Sequence, residues 1–215
     1  MKYNAVIFDL DGTLIDSLED LADSVNEMLK KYGFPHRTLE EVRTFVGNGA
    51  RNLIAKSVPA GTSSEQIDKC LATYLTLYAS NMNNKTRPYP GIPEILEKLK
   101  DTGVKIAVCS NKGDDNVKDL CEEYFPGLVD IAAGEVPGIM RKPAPDSVLK
   151  VIKDLGLSKQ DAVYIGDSEV DVRTAKNADM PFIGVSWGFR DSKILYAEGA
   201  SIVADTADEL LQYLI

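Results

Sequence analysis

Residues 5–13 read AVIFDLDGT, and the fold is decided by this stretch. Ala5–Phe8 is an apolar run bearing Val6 and Ile7, too short for a helix. Unbroken apolar runs of this length suit a strand buried on both faces, as in a parallel sheet. Two acids follow at once. Side chains two apart in extended chain point to one side, so Asp9 and Asp11 share a face while Leu10 turns to the core. Gly12 permits a tight turn and close backbone approach to a ligand. Ligand sites in open α/β sheets lie at the carboxyl ends of strands, where this pair stands. Taken alone, the pair also fits a polar strand end with solvated acids. An EF-hand loop does not fit, because Gly12 comes too early and the twelfth position would be Asp20 rather than Glu.

Working outward, similar runs recur at Lys105–Cys109, Leu128–Ala132, Ala162–Ile165, Phe182–Val185 and Ser201–Val203. Between most of them lie helical patterns: Ile92–Lys100, Asn116–Tyr124, Asp146–Leu155 and Asp171–Ala178. Alternation of this kind predicts a doubly wound, Rossmann-like α/β core in three layers around a parallel sheet. One interval breaks the rhythm. From Asp16 to Asn83 nothing reads as a strand, and helical spacing appears at Leu18, Leu21, Ala22, Val25, Met28 and Leu29, with Gly33 as a stop. Thr38 with Glu41 forms a capping-box pattern, and Ser63 with Gln66 opens a longer helix. A βαβ crossover needs one helix. Several in succession predict an all-helical cap, residues 16–83, inserted after the first strand of a core made of 1–15 and 84–215. Pro88, Pro90, Gly91 and Pro93 mark the return to the core.

The chain of 215 residues, 44% apolar and 27% charged, can bury a sizeable core as an ordinary globular protein. Its formal charge of −9 leaves no basic stripe for nucleic acid and no attraction to an anionic membrane. If a phosphorylated ligand binds, its charge must be met by a few local cations, backbone N–H groups or a metal. Cys70, Cys109 and Cys121 are odd in number and lack C-x-x-C spacing, so they read as reduced thiols. No long apolar stretch precedes the first acids, and no window has the length of a membrane span. A cytoplasmic location is expected.

Three further motifs carry candidate chemistry, two of them at strand ends. Residues 166–171 read GDSEVD, with Asp167 and Asp171 four apart and so on one face if a helix begins there. The plainer reading is an acidic N-terminal cap, and the two readings are compatible. Residues 108–112 read VCSNK, where Ser110 and neighbouring backbone N–H groups suit a phosphate oxygen, although Ser and Asn also cap helices. Residues 141–145 read RKPAP, a lysine stiffened by prolines; alone it reads as an exposed turn. If the strand ends bearing Asp9 and Asp167 are neighbours in the sheet, Asp9, Asp11, Asp167 and Asp171 converge. Each like-charge pair near 4 Å would cost roughly 4 kcal/mol at an effective dielectric near 20. Several such repulsions rival the stability of a whole domain. A bound cation removes the problem, and all-oxygen ligands favour Mg²⁺ over zinc or copper.

In this order, the Asp9–Thr13 motif, Ser110, Lys142-Pro143 and Gly166–Asp171 together closely resemble the haloacid dehalogenase superfamily of phosphohydrolases, across essentially the whole chain. The resemblance implies Asp9 as nucleophile and Asp11 as general acid and base. It implies Thr13, Ser110 and backbone N–H groups near Leu10, Gly12 and Asn111 as the phosphoryl cradle, and Lys142 as the charge that stabilises Asp9 and phosphate. It implies Mg²⁺ on the Asp9 carboxylate, the Asp11 carbonyl and Asp167, with Asp171 bound directly or through water. The dehalogenase branch lacks an acid matching Asp11, so its presence points to phosphate chemistry.

The helical insertion looks like the cap of phosphoglycolate phosphatases. Residues 45–53, FVGNGARNL, are similar to the cap loop that meets substrate in that group, with Gly49 offering backbone N–H and Arg51 pairing with a carboxylate. Gly47 also reads simply as a helix stop. The expected activity is hydrolysis of a small phosphate monoester of the phosphoglycolate kind. The alternatives are pyrophosphatase, nucleotidase or sugar phosphomutase chemistry on the same scaffold, or a non-catalytic phospho-ligand module. The partner implied is a small phosphorylated metabolite, and oligomeric state is not legible.

Overall fold

The computed structural model describes residues 2–215. It divides into two compact units, one of Met1–Ile15 with Pro88–Ile215 and one of Asp16–Arg87. The strands are β1 (Ala5–Phe8), β2 (Ile15–Asp16), β3 (Arg87–Pro88), β4 (Lys105–Gly113), β5 (Ile131–Glu135), β6 (Ala162–Gly166), β7 (Phe182–Val185) and β8 (Val203–Ala204). Six of them make one sheet in the order β5-β4-β1-β6-β7-β8, and each pair within it is parallel. The order runs outward in both directions from β1, so the topological switch point lies beside it. By the crevice rule for such sheets, the ligand site belongs at the carboxyl end of β1.

The core helices are α5 (Ile92–Asp101), α6 (Asp114–Tyr124), α7 (Asp146–Asp154), α8 (Glu169–Ala178), α9 (Ser192–Glu198) and α10 (Ala207–Leu214). Ala5, Ile7, Ala107, Cys109, Ala162 and Tyr164 present one sheet face, which α7 and α8 cover through Val148, Val151, Ile152, Ala175 and Ala178. The alternate residues Val6, Phe8, Ile106, Val108, Val163 and Ile165 are fully buried too, so both faces are covered and the unbroken apolar runs are accounted for. Two strands begin later than the sequence alone places them. Gly127 takes φ +71 and the Leu128 N–H turns back to the Phe125 carbonyl, so pairing with β4 starts at Ile131, not Leu128. β8 likewise is fixed by its register with β7.

The second unit holds α1 (Leu18–Lys31), α2 (Leu39–Phe45), α3 (Ala50–Ser57) and α4 (Ser64–Asn81). Thr38 and Glu41 form a reciprocal capping box at α2, and Ser63 accepts the Gln66 N–H at α4. Leu21, Val25, Met28 and Leu29 of α1 are buried, as are Leu53, Ile54, Tyr74 and Tyr78. This unit runs to Arg87 rather than ending at 83. The reason is local: the buried Asp20 carboxylate accepts the Lys85 and Thr86 N–H groups and the Thr86 hydroxyl, tying that segment to α1. No described helix is long and apolar enough to cross a membrane.

Candidate active site

Asp9 follows β1 directly, and its N–H still pairs with the Ile165 carbonyl of β6 at 2.8 Å. The chain then wraps around the Leu10 carbonyl, which accepts from the N–H groups of Thr13, Leu14 and Ile15, while the Leu10 side chain is fully buried. Gly12 takes φ +86, and a Cβ there would lie 2.4 Å from an Asp167 oxygen. Only glycine leaves room for that carboxylate. Gly188 supports the same acid from another loop, since its Cβ would stand 2.3 Å from Asp167 Cβ and from the Gly12 carbonyl oxygen. The neighbouring Phe189 N–H donates to Asp167 Oδ2 at 2.7 Å, and Thr13 Oγ1 donates to Oδ1 at 3.3 Å. Trp187 Nε1 donates to the Thr13 carbonyl, fastening this loop to the first motif.

Asp9, Asp167 and Asp171 come together, with one oxygen of each within 4.8 Å of the others, and all three are buried. Asp11 contributes no carboxylate oxygen to that group. Three acids converge rather than the four the sequence suggests, and the Asp11 carboxylate takes a 2.8 Å bond from Lys112 Nζ on each oxygen. Lys142 is 2% exposed, so the turn that carries it buries the lysine instead of leaving it open. Its Nζ reaches Asp9 Oδ1 at 2.9 Å, Asp171 Oδ1 at 2.8 Å and the Tyr164 hydroxyl at 2.8 Å. Asp171 also closes a capping box at α8, accepting Ser168 N–H and Oγ on Oδ2. The cap reading and the cluster reading of this acid thus both hold.

The electrostatics follow from crowding. Burial pushes the Asp9 carboxyl up to about 7; Lys142 opposes the rise, while Asp171 and Asp11 add to it. Burial, then Asp171 and Asp9, hold Asp167 well above the ordinary carboxylate range. Burial alone would lower the Lys142 ammonium, but the Asp171 and Asp9 charges outweigh it and raise it. Lys142 bonds to Asp9 and Asp171 while Arg190 lowers Asp167 by its charge, and the three carboxylates together are a set of hard oxygen donors that fits a divalent cation such as Mg²⁺.

Ser110 and Asn111 lie in β4, both 6% exposed. The Asn111 amide donates to the Lys142 carbonyl and accepts the Lys142 N–H, each at 2.9 Å, so it fixes the backbone that carries the lysine. In the helical unit, Gly49 is the N-cap of α3 with φ +80. Arg51 donates through Nε to Asp68 and through a terminal nitrogen to Ser64, in a half-exposed arrangement within that unit. His36 is exposed, and Cys70, Cys109 and Cys121 are free and buried.

Sequence reasoning missed Tyr164, the Asn111 side chain, Gly188 and Lys112. Tyr164 left a signal, a hydroxyl inside the apolar run Ala162–Ile165. Gly188 lies in the stretch Trp187-Gly188-Phe189, which resembles the family but reads more simply as an aromatic packed under a loop, and the roles of Asn111 and Lys112 depend on contacts tens of residues away.

The model for haloacid dehalogenase-like hydrolases matches residues 6–185. Phosphoglycolate phosphatase 1 of Pseudomonas aeruginosa is 34% identical, over 96% of this chain and 78% of its own. The phosphoglycolate phosphatase of Mesorhizobium japonicum is 32% identical, over 95% of this chain and 92% of its own. A crystal structure from Lactobacillus delbrueckii subsp. bulgaricus, assigned provisionally to the phosphoglycolate phosphatases, superposes with a TM-score of 0.93 at 38% identity over 100% of this chain and 99% of that one. CbbY of Rhodobacter sphaeroides, solved with phosphate, gives 0.77 at 25% identity over 97% and 96%. With the strand-end acids and the lysine already in place, the chain belongs to the haloacid dehalogenase-like hydrolases, similar among them to the phosphoglycolate phosphatases, and is a hydrolase of phosphoric monoesters.

Proposed function

We propose that the chain is a Mg²⁺-dependent phosphatase that hydrolyses a small phosphate monoester, phosphoglycolate or a close relative, through an aspartyl phosphate on Asp9. The observation that carries the reading is Asp9 at the switch point, bonded to Lys142 and grouped with Asp167 and Asp171. Asp9 Oδ1 accepts the Leu10 N–H and Lys142, which orients the carboxylate, and Oδ2 would be the oxygen that attacks phosphorus. The Asp9 carboxylate, the Asp11 carbonyl and Asp167 would hold the metal, with Asp171 bound directly or through water. Bound there, Mg²⁺ supplies positive charge that offsets the acids and the phosphoryl oxygens.

In the first displacement Asp9 attacks phosphorus, the bond to the leaving oxygen breaks, and Asp11 gives that oxygen its proton. In the second, Asp11 takes a proton from water as the water oxygen attacks the aspartyl phosphate, and Asp9 is released. Thr13, Ser110 and the N–H groups near Leu10, Gly12 and Asn111 hold the phosphoryl oxygens, and Lys142 neutralises charge on Asp9 and phosphate. Gly49 and Arg51 are the cap residues that recognise the rest of the substrate. Arg51's present partner is a half-exposed acid, a bond worth about 0–1 kcal/mol that a substrate carboxylate can replace.

The test is phosphate release from a panel of phosphorylated metabolites, with Mg²⁺ and with EDTA, for the native protein and Asp9→Asn. Mg²⁺-dependent release from phosphoglycolate, lost in Asp9→Asn, supports the reading. Preference for pyrophosphate or a nucleotide moves the protein to the alternative substrates, and bisphosphate-activated isomerisation with little free phosphate makes it a mutase. Undiminished release by Asp9→Asn refutes the mechanism.

A further inference from the structure

Lys112 stands outside the machinery just described, yet it is one of the most buried lysines of the chain. Its side chain is 6% exposed and pairs with an Asp11 carboxylate that is 13% exposed. The contact spans 101 positions and joins β4 to the segment following its neighbour β1. Both Asp11 oxygens take a 2.8 Å bond from the one ammonium. A carboxylate's terminal torsion is ordinarily broad and nearly two-fold. A cation on both oxygens narrows it to one setting.

Stability is a weak reason for such a pair, because desolvation of buried ions offsets much of their attraction. Orientation is a stronger one, since small displacements of a proton-transferring group cost large factors in rate. Lys112 is itself braced, its N–H donating to Ser110 Oγ at 3.3 Å in the same strand.

We propose that Lys112 is a positioning residue that orients Asp11 for proton transfer to the leaving oxygen. The inference rests on Asp11 being the acid and base of the reaction. For that step Asp11 carries a proton on one oxygen while Lys112 keeps its bond to the other. Phosphorus passes to Asp9, the departing alkoxide takes the proton, and Asp11 is left as the carboxylate that Lys112 holds by both oxygens. Lys112 therefore matters in proportion to how much the leaving group needs that proton. An alkyl phosphate needs it; p-nitrophenyl phosphate does not, because nitrophenolate leaves unprotonated.

Lys112→Met, Lys112→Arg, Asp11→Asn and the double variant Asp11→Asn/Lys112→Met are compared by kcat/KM on phosphoglycolate and on p-nitrophenyl phosphate. The ratio of the two values within one preparation is independent of the fraction correctly folded. The expected result is that Lys112→Met loses about 10- to 100-fold on phosphoglycolate. On p-nitrophenyl phosphate it changes less than about threefold, because no proton transfer to that leaving group is at stake. Lys112→Arg should recover much of the loss, and Lys112→Met should cost nothing further in the Asp11→Asn background. Equal loss on both substrates, complete loss included, or a further loss in the Asp11→Asn background overturns the proposal while the phosphatase reading stands. If Asp11→Asn hydrolyses phosphoglycolate normally, the role of Asp11 fails and the role of Lys112 with it.

Discussion

Replacing Lys142 with Met should cost stability to a degree that depends on pH, in a way that tests the electrostatics of the acid cluster. The ammonium is 2% exposed and lies 2.9 Å from Asp9 and 2.8 Å from Asp171. At an effective dielectric of 20 each contact has a gross attraction of about 6 kcal/mol, most of it offset by desolvation. Breaking a buried pair from one side costs about 3–5 kcal/mol, because the remaining charges are left uncompensated. For a protein of this size that lowers Tm by roughly 6–20 °C. The loss should be largest for metal-free protein at pH 8. It should shrink at pH 5, where the orphaned acids can protonate, and shrink again with Mg²⁺. Activity should stay at least about 100-fold down under all these conditions, as expected when a transition-state charge partner is removed. Thermal unfolding by circular dichroism at both pH values, with EDTA or Mg²⁺, reads all of this. A Tm loss identical at pH 5 and pH 8, or insensitive to Mg²⁺, refutes the argument that Lys142 is held by acids that also hold the metal.

The native protein carries its own pH signature. The Asp9 carboxyl sits near 7 when folded against 3.8 when unfolded, so between those values the folded state holds more protons. Stability of the metal-free protein should therefore fall as pH rises from about 4 to 7, by up to about 4 kcal/mol from this group. Mg²⁺ should raise Tm more at pH 8 than at pH 5, and a flat profile would contradict the burial of Asp9. Gly188→Ala would press a Cβ against Asp167 and the Gly12 carbonyl, both 2.3 Å away. Its half-saturating Mg²⁺ concentration should rise about tenfold or more, as when a support of a metal ligand is disturbed; an unchanged Mg²⁺ titration counts against the placement of Asp167. Arg51→Ala should cost about 1–3 kcal/mol in kcat/KM on a carboxylate-bearing substrate. It should cost under about 1 kcal/mol in stability, because the pair with Asp68 is half-exposed. Unchanged kinetics would free Arg51 from substrate recognition.

Much of the core was legible because its signals are local. Ala5–Phe8 and Ala162–Ile165 announce strands buried on both faces by their own side chains, and the acids that end them are covalently attached to those strands. Helix caps such as Thr38 with Glu41 are satisfied within one turn, so they are equally readable. Strand ends were less so. The start of β5 depends on register with β4, a property of the pair and not of either segment.

The sequence by itself determined that two acid-bearing strand ends exist, that a lysine and a serine follow at strand-end or turn positions, and that a helical stretch interrupts the alternation. Tertiary structure alone decided which charges meet. Lys142 went into the core between Asp9 and Asp171, Asp11 was claimed by Lys112, and Asn111 spent its amide on the Lys142 backbone. The physical reason is range. Burial patterns and caps arise from neighbours along the chain, whereas the pairing of buried charges is settled by which segments the sheet brings side by side, Asp9 and Asp171 being 162 positions apart, a distance on which local sequence carries no information.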